Sequence, residues 1–324
     1  MKKIALILLS MLMVVPFFVG CKEKKETVVI YSSLEDYRGA ALDAQLKEKF
    51  PDLDVSIQQI ATGNNAAKIK AEGTNTEADI VLGLETASII PLLDNFADIS
   101  SYKKDHFDEA ALTNDGRYRI WERAEGAFVV NTNVLKEKNL PEPATYEDLL
   151  KPEYKGLIAM PNPKTSNTGY MFLNNWANIM GKDEAFSYIE KLQVNIKQFT
   201  ESGSGPVKLL LQGEIAVGLG MVFQAADQIT KNAPIKIIQP QTGAPYNTTS
   251  FGVIKGKETK ESVKRVFTYL NDEFIRYDKE NFVPGKVLKE QKTLLKNYPT
   301  LTPAKMGDMN SATLKADLLA SWKY

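Results

Sequence analysis

Short apolar runs and helical repeats alternate along most of this chain. Residues 27–31, Thr-Val-Val-Ile-Tyr, have too few polar positions for a half-exposed strand and predict one buried on both faces. Leu42, Leu46 and Phe50 follow at helical spacing over 37–50, and Pro51-Asp52 ends that helix. The same alternation predicts strands at 55–60 and 79–84, with helices at 66–72 and 86–93. It resumes with a strand at 157–160, helices at 168–180, 183–192 and 206–212, a strand at 216–219, a helix at 223–231 and a strand at 235–239. Such an order implies a mostly parallel sheet with helices on both faces. Apolar strands at 126–130 and 250–254 bracket the second set, and only helical patterns follow, chiefly at 260–274. The expected fold is therefore α/β with two lobes, the bracketing strands crossing between them.

The first residues obey a different pattern. Met1-Lys2-Lys3 is basic, 4–19 is apolar except for Ser10 and Pro16, and Gly20-Cys21 precedes the charged run 22–26. This predicts a signal peptide over 1–20. The apolar part is shorter than the roughly 20 residues of a spanning helix. The Cys position resembles the bacterial lipobox, with Cys21 as the lipidated N-terminus and 21–26 as a flexible tether. The likeness departs at Phe18 and Val19, which stand where that motif carries Leu and a small residue. The plainer alternative is a structural cysteine in a discarded leader.

Composition narrows the chemistry. The chain has 324 residues, 44% hydrophobic and 25% charged, an ordinary globular profile with room for about two domains. Forty basic residues balance forty acidic ones, so nothing argues for a nucleic-acid partner or for disorder. One Cys and one His exclude an internal disulfide and a Cys₂His₂ zinc site. Any Cys–His or Ser–His–Asp catalyst would need His106, whose polar surroundings predict a solvated surface residue. Phosphate-loop, nucleophile-elbow and zincin motifs are all missing from the sequence. No catalytic residue, metal ligand or cofactor is nominated. The competing classes are a lipid-anchored hydrolase, which would turn over a substrate panel, and a structural lipoprotein.

Candidate chemistry stands at the strand ends. In open α/β sheets, ligands lie beyond the carboxyl ends of strands, where helix N-termini present free N–H groups. Those positions carry Ser32-Ser33, then Thr62-Gly63-Asn64-Asn65, then Thr165-Ser166-Asn167-Thr168-Gly169, then Ser202-Gly203-Ser204-Gly205. The same residue types also serve as helix N-caps. Four such segments at equivalent places favour one shared cleft.

These loops also carry a resemblance. The chain resembles the extracellular solute-binding proteins of bacterial ABC importers, in the class that contains ferric-iron, thiamine, polyamine and phosphonate or sugar-phosphate binders. The stretches are 28–33, 78–83, 130–133, 146–156, 161–169 and 203–218, in the order that the family shows them. The resemblance implies a two-lobe fold of the type II periplasmic-binding-protein kind, with a ligand cleft that closes by hinge motion. The expected division is lobe 1 over 27–127 plus 250–324, and lobe 2 over 128–249. It further implies a monomer held outside the cytoplasmic membrane, in a periplasm or on a cell surface. Its partners would be a small molecule, an ABC permease and that permease's ATPase subunit. Ferric-binding members use adjacent tyrosines, and this chain has no Tyr-Tyr pair. Tyr170 remains a lone candidate for the alternative of iron uptake. Hydroxyl-rich and N–H-rich loops instead suit a phosphate, phosphonate or carboxylate, with Lys164 or Arg38 as possible charge partners. Tyr31, Trp121 and Phe223 stand near these segments and suit either an organic moiety or the core.

Overall fold

The computed structural model describes residues 25–324, so the signal segment expected at 1–20 and the anchor expected at Cys21 lie outside the described residues. The first lobe opens with β1 (Glu26–Ser32), α1 (Asp36–Lys49), β2 (Leu53–Gln59), α2 (Thr62–Glu72), β3 (Ile80–Glu85) and α3 (Thr86–Ile89). β1 lies between β2 and β3 and is parallel to both, with Ile30 opposite Ile57 and Ile80. All of β3 is buried, as an unbroken Ile-Val-Leu run requires.

β4 (Arg119–Asn131) then passes into the second lobe. There follow α4 (Thr132–Glu137), β5 (Ile158–Pro161), α5 (Asn167–Met180), α6 (Lys182–Leu192), β6 (Ile196–Thr200), α7 (Gly205–Leu211), β7 (Val217–Met221), α8 (Val222–Thr230) and β8 (Ile235–Ile238). β9 (Tyr246–Val253) returns to the first lobe. Residues 119–125 of β4 pair with β9, and 126–130 pair with β7. β4 and β9 run antiparallel to their neighbours, so the sheet is more mixed than strand-helix alternation implies. A chain that crosses out and back must reverse direction.

β4 is also longer than its apolar half at 126–130. Its first half carries Arg119, Glu122 and Glu125, all buried and all bonded to polar partners. Hydropathy alone cannot distinguish such a strand from a solvated loop.

Each lobe has its own core. Leu42, Ile80, Phe251 and Phe267 belong to one, and Phe128, Met160, Phe172 and Trp176 to the other. The tail divides between them instead of joining the first lobe whole. α9 (Glu261–Tyr269), a π-helical turn at Leu270–Phe274 and α10 (Ile275–Asn281) pack on the first core through Val266, Phe267 and Phe274. Val283, Ala304, Met306, Leu318 and Trp322 join the second, the last two from the region of α11 (Ala312–Ser321). A fully buried Leu contributes about 1.5–3 kcal/mol over an exposed one, enough for Leu318 to hold α11 in place. His106 is half-buried rather than solvated: its Nε2 lies 2.9 Å from the Asn271 carbonyl oxygen and its ring packs on Phe107.

Candidate functional site

Five helices begin at the carboxyl ends of strands around one cavity of about 360 Å³. Its wall takes Glu35 and Asp36 from the start of α1, Ala61 and Thr62 from α2, Ser166, Asn167 and Thr168 from α5, Ser204 from α7 and Met221 from α8. The lobes meet across it, where the Gln224 amide donates to Glu35 at 3.3 Å. None of these five helix starts has a side chain bonded to its first-turn N–H groups. Away from the cavity, Asn131 and Ser311 cap α4 and α11, whereas α6 and α9 also start without a side-chain cap. Uncapped N-termini that share a cavity leave donors and positive dipole ends facing it.

Nine of the residues nominated from sequence line the cavity: Ser33, Thr62, Thr165, Ser166, Asn167, Thr168, Ser202, Gly203 and Ser204. The hydroxyls of Ser166 and Ser204 make no cap bond, and that of Ser204 lies 3.1 Å from Ser202 Oγ. Gly203 allows its loop to pass close to α5, since a Cβ there would fall 2.3 Å from Thr168 Oγ1. Ser33 donates to the Ile60 carbonyl and accepts from Asn65, so its hydrogen is already used.

The other six do not line the cavity. Ser32 and Asn65 are buried, Ser32 accepting from the Leu34 N–H and Asn65 supporting Ser33. Gly63 and Asn64 are exposed on α2. Gly169 and Gly205 are packing positions, where a Cβ would lie 2.3 Å from the Pro161 carbonyl oxygen and 2.4 Å from Thr200 Cβ.

The nominated charge partners are engaged elsewhere. Lys164 donates to the Trp322 carbonyl at 2.9 Å. Arg38 is buried beside the cavity and donates to Asp278 at 2.6 and 2.8 Å, Glu122 at 2.6 Å and Glu35 at 2.8 Å. Burial opposes its charge, but Asp278, Glu122 and Glu35 together hold its pKa well above the ordinary arginine value. Burial likewise raises the Asp278 carboxyl, yet Arg38 and Lys279 outweigh it and hold that group below the usual range. The cation that does line the cavity among the described residues is Lys208, in α7, which has no ion pair among them. Glu35, Asp36, Glu122, Glu201, Gln224 and Thr249 complete a polar wall that local sequence patterns did not single out.

Tyr31, Trp121 and Phe223 are core residues. Among the described residues no tyrosine lines the cavity, and the Tyr170 hydroxyl is buried outside it with no partner among them. Among the described residues no group of three or more His, Cys, Asp or Glu side chains is placed to hold a metal ion.

Comparison with known proteins agrees with this architecture. A relative from Haemophilus influenzae, itself described as uncharacterized, is 26% identical over 257 residues, 76% of this chain and 72% of its own. The periplasmic binding protein P5PA superimposes with a TM-score of 0.80 at 21% identity, over 92% of this chain and 98% of that one. The periplasmic binding protein AfuA from Actinobacillus pleuropneumoniae, solved with fructose-6-phosphate bound, gives 0.79 at 23% identity with the same coverage. At such identities these structures establish the fold: two lobes around a ligand cleft. Residues 75–311 match the family described as bacterial extracellular solute-binding protein, so this chain belongs to that family and is a periplasmic or extracellular solute receptor of the ABC-importer type.

Proposed function

We propose that the cleft captures a small anionic solute of the phosphate-ester or phosphonate kind and that the protein delivers it to a membrane permease driven by an ATPase subunit. The observation that carries this reading is the set of five uncapped helix N-termini around the cavity, with the hydroxyls of Ser166 and Ser204, neither of which caps its helix, beside them. Backbone N–H groups at helix starts bind anions without a full counter-charge, and Lys208 adds one cation. AfuA, with its bound phosphate ester, supports the reading by analogy. Among the described residues no tyrosine pair, on which the iron-uptake alternative would rest, lines the cavity. The protein acts as a monomer, tethered through a lipid on Cys21, which suits a receptor that must stay near its permease.

Ligand held by both lobes stabilises the closed form. At one hundred times its dissociation constant it contributes about 2.7 kcal/mol, which for a chain of about 300 residues raises the melting midpoint by about 4 °C. A panel of phosphate esters and phosphonates screened by thermal shift identifies binders. Calorimetry then compares Ser166→Ala and Ser204→Ala with the unmodified protein. Each substitution removes a hydrogen bond to a charged group, worth about 1.5–3 kcal/mol, and weakens binding about tenfold to a hundredfold. Stability without ligand stays unchanged, because neither hydroxyl caps its helix. Full affinity in both variants refutes this assignment of the site.

A further inference from the structure

The two walls of the cavity differ in chemistry. The second-lobe wall presents hydroxyls, helix N-termini and the ammonium of Lys208, with the carboxylate of Glu201 beside them. The wall toward the first lobe also has the N-termini of α1 and α2 and the Thr62 hydroxyl, but it differs in adding the carboxylates of Glu35, Asp36 and Glu122. Behind it, Arg38 and Lys279 meet three carboxylates: Asp278 lies 2.7 Å from Lys279, Glu122 lies 2.6 Å from Arg38 and 3.5 Å from Lys279, and Glu35 lies 2.8 Å from Arg38. That cluster holds one negative charge in excess, and Asp36, which has no ion pair among the described residues, adds a second at the cavity face.

Two further groups point the same way. Gln224 Oε1 and Thr249 Oγ1 line the cavity, are buried to 9% and 5% residual exposure, and have no hydrogen-bond partner among the described residues. The amide of Gln224 is oriented by its donation to Glu35, which leaves its oxygen as an acceptor with no donor. The Gln224 oxygen can only accept, whereas the Thr249 hydroxyl can accept or donate; such buried groups are satisfied by a partner when a site fills.

We infer that the solute is zwitterionic: a phosphate or phosphonate carrying a protonated amine, with the anion on the second-lobe wall and the ammonium against Asp36, Glu35 and Gln224. This rests on the anion-binding reading above and adds the opposite pole to it. A purely anionic ester would place its body against a wall whose side chains carry a net negative charge. Neutral hydroxyls would satisfy the acceptors but leave the two negative charges unbalanced. An ammonium, with three donors and one charge, does both. Arg38 and Asp278 act as positioning residues, since their bonds fix where the Glu35 and Glu122 carboxylates stand.

Three esters of similar size separate the possibilities by calorimetric titration of the mature chain: 2-aminoethyl phosphate, glycerol 3-phosphate and ethyl phosphate. The expected result is that 2-aminoethyl phosphate binds at least tenfold more tightly than either of the others. In Asp36→Asn and Glu35→Gln that ratio falls at least threefold, while ethyl phosphate binds as well as before or better, because a repelling charge has gone. Tighter or equal binding of glycerol 3-phosphate, or a ratio unchanged in both variants, overturns the ammonium assignment and leaves anion binding standing. Failure of all three esters to bind overturns the anion-binding reading, and this inference with it.

Discussion

Replacing Arg38 with Met tests the charge cluster behind the cleft most directly. Met fills a similar volume, so the principal change is the loss of one buried cation facing Glu35, Glu122 and Asp278. Arg38 and Asp278 are fully or almost fully buried, and Lys279 alone remains to balance three carboxylates. Removing one partner of a buried pair destabilises by about 3–5 kcal/mol, because the remaining charges stay desolvated. For about 300 residues at about 2.1 cal/mol/K each, every kcal/mol moves the midpoint by about 1.6 °C, so the variant should melt about 5–8 °C lower at pH 7. The dependence on pH should also change sign. In the unmodified protein Asp278 lies below its ordinary value, so its contribution is present above the unfolded pKa and fades as pH falls through the folded one. Without Arg38 the main opposition to burial is gone, the buried carboxyls shift upward, and the folded state binds a proton more tightly than the unfolded state. The deficit should therefore shrink between pH 7 and pH 5. Melts followed by circular dichroism at both pH values, with Lys208→Met as an exposed and unpaired control, measure it. A deficit below about 1 kcal/mol at pH 7, or one that does not shrink at pH 5, refutes the reasoning.

Two other outcomes follow from single residues. Gly169→Ala places a Cβ 2.3 Å from the Pro161 carbonyl oxygen, a backbone atom that cannot swing aside. It should lower stability by about 1–3 kcal/mol and, by displacing the start of α5, weaken ligand binding as well; a variant with the parent's midpoint and affinity contradicts the packing described. Cys21→Ser should release the protein from membranes without altering its melt, and a substituted protein that still sediments with membranes argues against the lipid anchor.

Much of this molecule was legible in the sequence because the signals concerned are local. Apolar runs such as 27–31 and repeats such as Leu42, Leu46 and Phe50 depend only on near neighbours, and they marked most of the strands and helices. Small hydroxylic and glycine residues at strand ends marked where the chain turns toward the cleft, and nine of the fifteen nominated residues line it. What the sequence could not reveal depends on partners far away along the chain. Arg38 looked like a candidate for the ligand, yet Asp278 waits 240 residues later to bury it. Lys164 and Lys208 carry the same charge beside similar loops; one reaches the Trp322 carbonyl and the other the cavity, and only the packing of the tail separates them. Buried charges in β4 hid half of that strand, because ion pairing that offsets desolvation is a property of the assembled lobes and not of any window of residues. Local chemistry thus determined which elements form and what stands at their ends, whereas tertiary contacts decided which charges face the solute, because only they set the distance between groups remote in sequence.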